Sequence, residues 1–204
     1  GGLIAPDAGL VAINGIDMAK DPVAAKRQVG FIPDRPYLYE KLTGMEFLRF
    51  IGDLYSVADN GFRQKAEAAL GRFSLTDWQN DLIEAYSHGM KQRLIMAAAI
   101  LHDPAVLIVD EPMVGLDPAG IRMVKALFRE MADAGATFFI STHTLSIAQD
   151  LCDRIGIINK GRLIATGTLD DLNIKAGSSE ADLESVFLKI TREESFPSQP
   201  GGIG

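Results

Sequence analysis

At 204 residues, 47% of them hydrophobic, the chain is long enough to bury one good core, with room for a small satellite subdomain. A net charge of -7 argues against nucleic acid as a partner, and the single cysteine, Cys152, excludes an internal disulfide and a cysteine-based zinc site, as expected in a reducing, cytoplasmic compartment. The longest apolar stretch, LIMAAAIL at 94–101, falls far short of the roughly 18 to 20 residues that cross a bilayer, so any membrane role is expected to come through a partner.

In chain order, LVAI at 10–13 followed by Asn14-Gly15 predicts a strand entering a tight turn. Residues 21–28 suit one or two helical turns, and VGFI at 29–32 predicts a strand stopped by Pro33. Three capping-box patterns then predict helix starts: Thr43 with Glu46, Thr76 with Gln79, and Thr168 with Asp171. Between the first two, GFRQKAEAALGRF predicts another amphipathic helix, so that 40–85 form a helical block inserted between strands. After Gly89, helices at 90–101, 119–134 and 145–152 alternate with apolar strands at 105–109 and 136–141, which predicts an α/β fold with a parallel sheet covered on both faces. Strands at 155–159 and 162–166 around Lys160-Gly161 predict an antiparallel hairpin, 182–188 a short last helix, and SFPSQPGGIG at 195–204 a disordered tail.

Two of the strands end in chemistry-bearing groups: Asp110 and Glu111 close VLIVDEP, and His143 follows the strand ending at Ser141. Ligands of open α/β sheets sit at the carboxyl ends of strands, so these residues are candidates for one site. Asp110 suits magnesium held through water, and Glu111 suits a general base for an attacking water. An isolated Asp-Glu-Pro more often ends a strand, but the five apolar residues ahead of this one favour the site. Alone, His143 reads equally as a helix-start residue bonded to nearby backbone, whereas at the end of a second core strand it suits a γ-phosphate contact. His88 and His102 read as surface or packing residues. In YSHGMKQRL, Ser87 and Gly89 open a helix whose free N–H groups make an anion seat, although an ordinary serine N-cap accounts for the same pattern.

Together these motifs resemble the ABC transporter ATPases. YSHGMKQRL resembles their signature loop, usually L-S-G-G-Q, VLIVDEP their Walker B strand, GLD their D-loop, and STHTL their switch histidine, all in matching order. VGFIPDRPYLYEKLTGMEFL resembles the Q-loop region, with Asp34 where glutamine is usual, and NKGRLIATGTLDDL resembles the closing hairpin. Tyr86, His88 and Met90 depart from the commonest signature in a form similar to the exporter-type branch, as is LESVFLKIT near the end.

The resemblance implies a P-loop NTPase-type sheet with an inserted helical subdomain, ATP and Mg2+ as ligands, and ATP hydrolysis coupled to transport. It divides the chain into N-terminal strands and Q-loop region (1–39), helical subdomain (40–101), catalytic α/β core (102–168), C-terminal helical extension (169–194) and tail (195–204). It gives Glu111 and His143 catalytic roles, Asp110 and Asp34 magnesium, and Asp34, Ser87, Gly89 and Asp117 the nucleotide, with Ser87 and Gly89 facing nucleotide held by an opposite subunit. The implied partners are a transmembrane permease and a second ATP-binding subunit in a head-to-tail dimer, with no nucleic acid, at the cytoplasmic face of the membrane. A silent regulatory or scaffolding subunit, or a non-transport ABC ATPase, are the alternatives.

P-loop ATPases hold phosphates with G-x-x-x-x-G-K-S/T, and no Gly-Lys dipeptide occurs in these 204 residues. GGLIAPDAG aligns with the stretch just after the family's P-loop helix, and the first residue is not methionine. The expectation is therefore a truncated chain whose P-loop lies upstream of residue 1. Its P-loop strand would then be missing from the sheet, leaving neighbouring strands with open edges and the fragment alone without ATPase activity.

Overall fold

The computed structural model describes residue 2 and residues 4–35, 37–177 and 182–195. They fall into two compact units, Gly1–Ser141 and Thr142–Gly204.

In the first unit, β1 (Ala12–Ile13) and β2 (Ile16–Asp17) form a short hairpin, with Asn14 and Gly15 at φ 48° and 77°, the positive angles that a two-residue turn of this hand requires. The strand is shorter than the sequence suggests, with only Ile13 buried. Helix α1 (Pro22–Arg27) starts where Asp21 accepts from the Ala24 N–H at 3.0 Å and proline opens the first turn. Strand β3 (Val29–Ile32) leads through Asp34 to α2 (Gly44–Leu54), which begins with the expected reciprocal box: the Glu46 N–H donates to the Thr43 hydroxyl at 3.2 Å, and the Thr43 N–H donates to the Glu46 carboxylate at 2.8 Å. Hydrogen bonds from the Thr43 backbone N–H and then its side chain hold the Glu46 carboxyl below the usual carboxylate range. Helix α3 (Asp59–Arg72) follows, then single 3-10 turns at Thr76–Trp78 and Ile83–Ala85, α4 (His88–Ile100), β4 (Val106–Asp110), α5 (Pro118–Asp133) and β5 (Thr137–Ser141).

Two expectations fail here. Thr76 with Gln79 is not a capping box: Leu75 occupies the N-cap position without a side-chain bond, and the Gln79 N–H turns back to the Thr76 carbonyl. The turn begins one residue earlier than the pattern requires, so Thr76 is its first residue and Gln79 lies past its third. β5 is not a buried strand either. Its residues alternate between exposed and half-buried: Phe139, 66% exposed, stands in register with Ile108 and with Phe31, itself 44% exposed, so among the described residues this face of the parallel sheet β3-β4-β5 is open and the expected cover on both faces is not found. Phe138, on the other face, packs on Phe128 of α5 with ring centroids 4.7 Å apart.

Sheet and helical block meet along α4, whose residues from Leu94 to Ile100 are all buried. Contact is close enough that a Cβ on Gly30 of β3 would overlap the Ala99 carbonyl and lie 3.0 Å from the Pro104 ring. Gly30→Ala is therefore expected to cost about 1 to 3 kcal/mol through overpacking, read as a lower denaturant midpoint at unchanged slope. His102, just past α4, lies flat on Tyr55 at 3.7 Å, and its Nε2–H donates to the Val29 carbonyl at 3.1 Å. Burial holds its imidazole below the usual histidine range, so the ring packs in neutral form, a packing residue as its sequence context suggests. Gln92 is the buried polar side chain of the core, and its amide has no protein partner among the described residues.

The second unit contains α6 (Leu145–Leu151), the hairpin β6 (Ile155–Asn159) and β7 (Arg162–Gly167), α7 (Leu169–Lys175) and α8 (Leu183–Ser195). Lys160 and Gly161 turn the hairpin at φ 49° and 77°, and the Thr168–Asp171 box opens α7 with both of its bonds made. Ile157, Ala165, Leu172, Leu183, Val186 and Ile190 form its core. The last helix runs seven residues beyond the expected 188, through Ser195, carried by apolar spacing at Leu183, Val186 and Ile190. The remainder of the expected tail, 196–204, lies outside the described residues.

Candidate functional site

The parallel register pairs Ile32 with Val109 and Asp110 with Ser141, so β3, β4 and β5 deliver their last residues to one end of the sheet. Asp110 is there by alternation: Leu107 and Val109 are buried on one face, leaving Asp110 half-exposed at the strand end. The Ser141 hydroxyl donates to Asp110 Oδ1, orienting the carboxylate. Ser141 was not singled out by sequence reasoning, although the cross-strand register of two strands that both end in polar residues carries the signal.

Glu111 follows in a left-handed backbone conformation, φ 45°, while its N–H donates to the Ser141 carbonyl at 2.9 Å. A glutamate in this region costs on the order of 1 kcal/mol or more and persists only when its surroundings hold it. The chain then turns tightly: the Val114 N–H donates to the Glu111 carbonyl at 3.2 Å, the Leu116 N–H to the Met113 carbonyl at 3.3 Å, and Gly115 takes φ 79°. Asp117 closes the turn as the N-cap of α5, accepting from the Gly120 N–H at 2.8 Å.

The start of α4 packs against this turn. Ser87 is its N-cap, accepting from the Met90 N–H at 3.2 Å. A Cβ on Gly89 would lie 3.2 Å from the Gly115 carbonyl oxygen, and one on Gly115 would overlap the His88 imidazole. Tyr86 anchors the helix start from behind, its hydroxyl donating to the Trp78 carbonyl at 2.6 Å. Burial, with help from Asp81, pushes that phenol up to about 12, which keeps it a donor.

The first unit thus brings together Asp110, Glu111, Ser141 and the turn to Asp117, with Ser87 and Gly89 at the helix packed on that turn. Asp34 lies two residues past β3 at the same end of the sheet, exposed, with Arg35 3.9 Å from its carboxylate. His143 belongs to the second unit, where it is exposed one residue before Thr144, the N-cap of α6. The donors near β4 are hard oxygens, suited to a magnesium ion that takes one or two carboxylates and otherwise water and phosphate.

Residues 1–114 match the family described as ABC transporter. The chain is 36% identical over 176 residues to the linearmycin resistance ATP-binding protein LnrL of Bacillus subtilis, covering 86% of this chain and 57% of that protein. It is 34% identical over 193 residues to the ABC-type transporter ATP-binding protein EcsA of the same organism, covering 95% and 78%. It thus spans little more than half of the first relative and about four-fifths of the second. A solved ATP-binding subunit of an ABC transporter superposes with a TM-score of 0.87 at 35% identity, over 93% of this chain and 79% of that one. With more than half of its sequence inside the family match and a relative of which it covers over two thirds, the chain belongs to the ABC transporter family, among its ATP-binding subunits.

Proposed function

We propose that this chain is the nucleotide-binding part of a transport ATPase that drives substrate through a partner permease. The observation that carries the reading is Glu111, held in a costly left-handed conformation beside an oriented Asp110 at the mouth of a parallel sheet. The names of relatives such as the linearmycin resistance protein support an export role. A silent regulatory subunit would have no use for that strain.

Bound Mg-ATP supplies a γ-phosphoryl group and a cation that offsets its charge. Asp110, one of whose oxygens accepts from Ser141, would help hold the magnesium ion. Glu111 would accept the proton of the attacking water; His143, in the second unit, is retained by resemblance alone as a candidate phosphate contact. Asp34 holds water or the cation from the adjacent strand end. Ser87 and Gly89 turn the N-terminus of α4 toward nucleotide on a second subunit, with Asp117 fixing the intervening turn. Among the described residues no helix is long and apolar enough to cross a membrane.

With no Gly-Lys dipeptide, the 204-residue chain lacks the charge-assisted bonds, each about 1.5 to 3 kcal/mol, that a P-loop gives phosphates. Calorimetry is expected to show Mg-ATP binding by this polypeptide no tighter than about 1 mM, and a cassette in which a P-loop segment precedes these residues should bind in the micromolar range and hydrolyse ATP. A P-loop-bearing cassette that bound Mg-ATP without turning it over would favour the silent regulatory subunit.

A further inference from the structure

We propose that His88 is a positioning residue that latches the turn carrying Glu111 to the start of α4. The turn 111–117 has weak internal support: its two backbone bonds are long, at 3.2 and 3.3 Å, and Val114 and Gly115 are exposed. Its first residue nevertheless sits in a conformation that relaxes unless it is constrained. On one side the constraint is the bond from the Glu111 N–H to Ser141. On the other, the His88 ring fills the space that a side chain at Gly115 would occupy, and Gly89 admits the Gly115 carbonyl close to the helix backbone. Ring and glycine form a size-matched pair, and a glycine at 88, the residue of the commoner signature, would leave a gap over the turn.

This latch has a direction. Ser87 is one residue before His88, and Glu111 is four residues before Gly115, so a displacement of the α4 start passes through the ring to the turn that sets the Glu111 backbone. The latch rests on the reading of Ser87 as a nucleotide contact and Glu111 as the base, but its structural half is measurable without either.

In the 204-residue chain, hydrogen–deuterium exchange at the Val114 and Leu116 amides should speed up about tenfold in His88→Gly, while His88→Phe, which keeps a planar ring, should stay near the parent. Gly115→Ala, which displaces the ring, should give the pattern of His88→Gly. Unchanged exchange in both His88→Gly and Gly115→Ala overturns the latch. In a P-loop-bearing cassette, His88→Gly should lower kcat about tenfold with little change in KM for ATP, and His88→Phe should restore most of it. Faster exchange with kcat unchanged overturns the coupling to Glu111. Full turnover in Glu111→Gln would instead remove the base assignment and leave the exchange result standing.

Discussion

In a P-loop-bearing cassette, Glu111→Gln is expected to lower turnover by about 100- to 10,000-fold while Mg-ATP still binds. The amide keeps the volume and planarity of the carboxylate, so the backbone at φ 45° and its bond to Ser141 should survive the change. Only the proton acceptor is lost. Asp110→Asn should behave differently: it leaves the base in place but weakens an oxygen donor suited to magnesium, so the loss should appear as weaker magnesium-dependent binding. Equilibrium nucleotide binding alongside single-turnover hydrolysis separates the two. If Glu111→Gln hydrolysed at the parental rate, His143 or Asp34 would have to be tested as the base.

The second large effect is expected at the loop between β3 and α2. Tyr37 is 80% exposed and Tyr39 59%, with Tyr39 standing edge-on to Phe50 at 5.3 Å. Pro36, beside them, lies outside the described residues. Tyrosines this exposed are not packing the helical block onto the sheet, and exposed aromatic clusters are the usual anchors of protein interfaces. The same loop is tied to the α4 region: the Ile83 N–H donates to the Leu42 carbonyl at 2.9 Å, the Glu84 N–H to the Glu40 carbonyl at 3.1 Å, and Lys91 of α4 meets Glu40 at 2.6 Å. The ion pair is exposed on its Glu40 side and screened by solvent there, so the backbone bonds carry most of the connection. Replacing Tyr37 and Tyr39 with Ala should reduce permease-coupled transport about tenfold or more, with basal ATPase and Tm nearly unchanged. A Tm drop of several degrees with transport per ATP intact would show that the two tyrosines are packing residues and that this loop is not where the permease docks.

Legibility from sequence followed the range of the forces involved. The Thr43 and Thr168 boxes, the Ser87 cap and the turns at Asn14-Gly15 and Lys160-Gly161 involve partners within three residues, and each formed as expected. The Thr76 pattern failed because a motif match does not fix which residue takes the cap position, here Leu75. Asp110 and Glu111 stood out because an apolar strand has no local reason to end in two acids. The bond from Ser141 and the ring of His88 over Gly115 depend on segments 31 and 27 residues apart meeting in space, which local pattern cannot encode. Nor could composition show that ATFFIS would be left half open, since the burial of a strand's side chains is decided by what covers its faces.

The two margins of the three-stranded sheet differ in how they would meet another polypeptide. At β3, the Val29 carbonyl is already engaged by the His102 ring and, at 3.4 Å, by the Tyr55 hydroxyl, so that margin is blunted. β5 has no such guard among the described residues. Its TFFIS sequence is aromatic and β-branched, without charge or proline, and it presents Phe139 to solvent. Such a margin is a template for strand addition, so in concentrated solution this polypeptide should self-associate through β5, and a Lys in place of Phe139 would act as a gatekeeper.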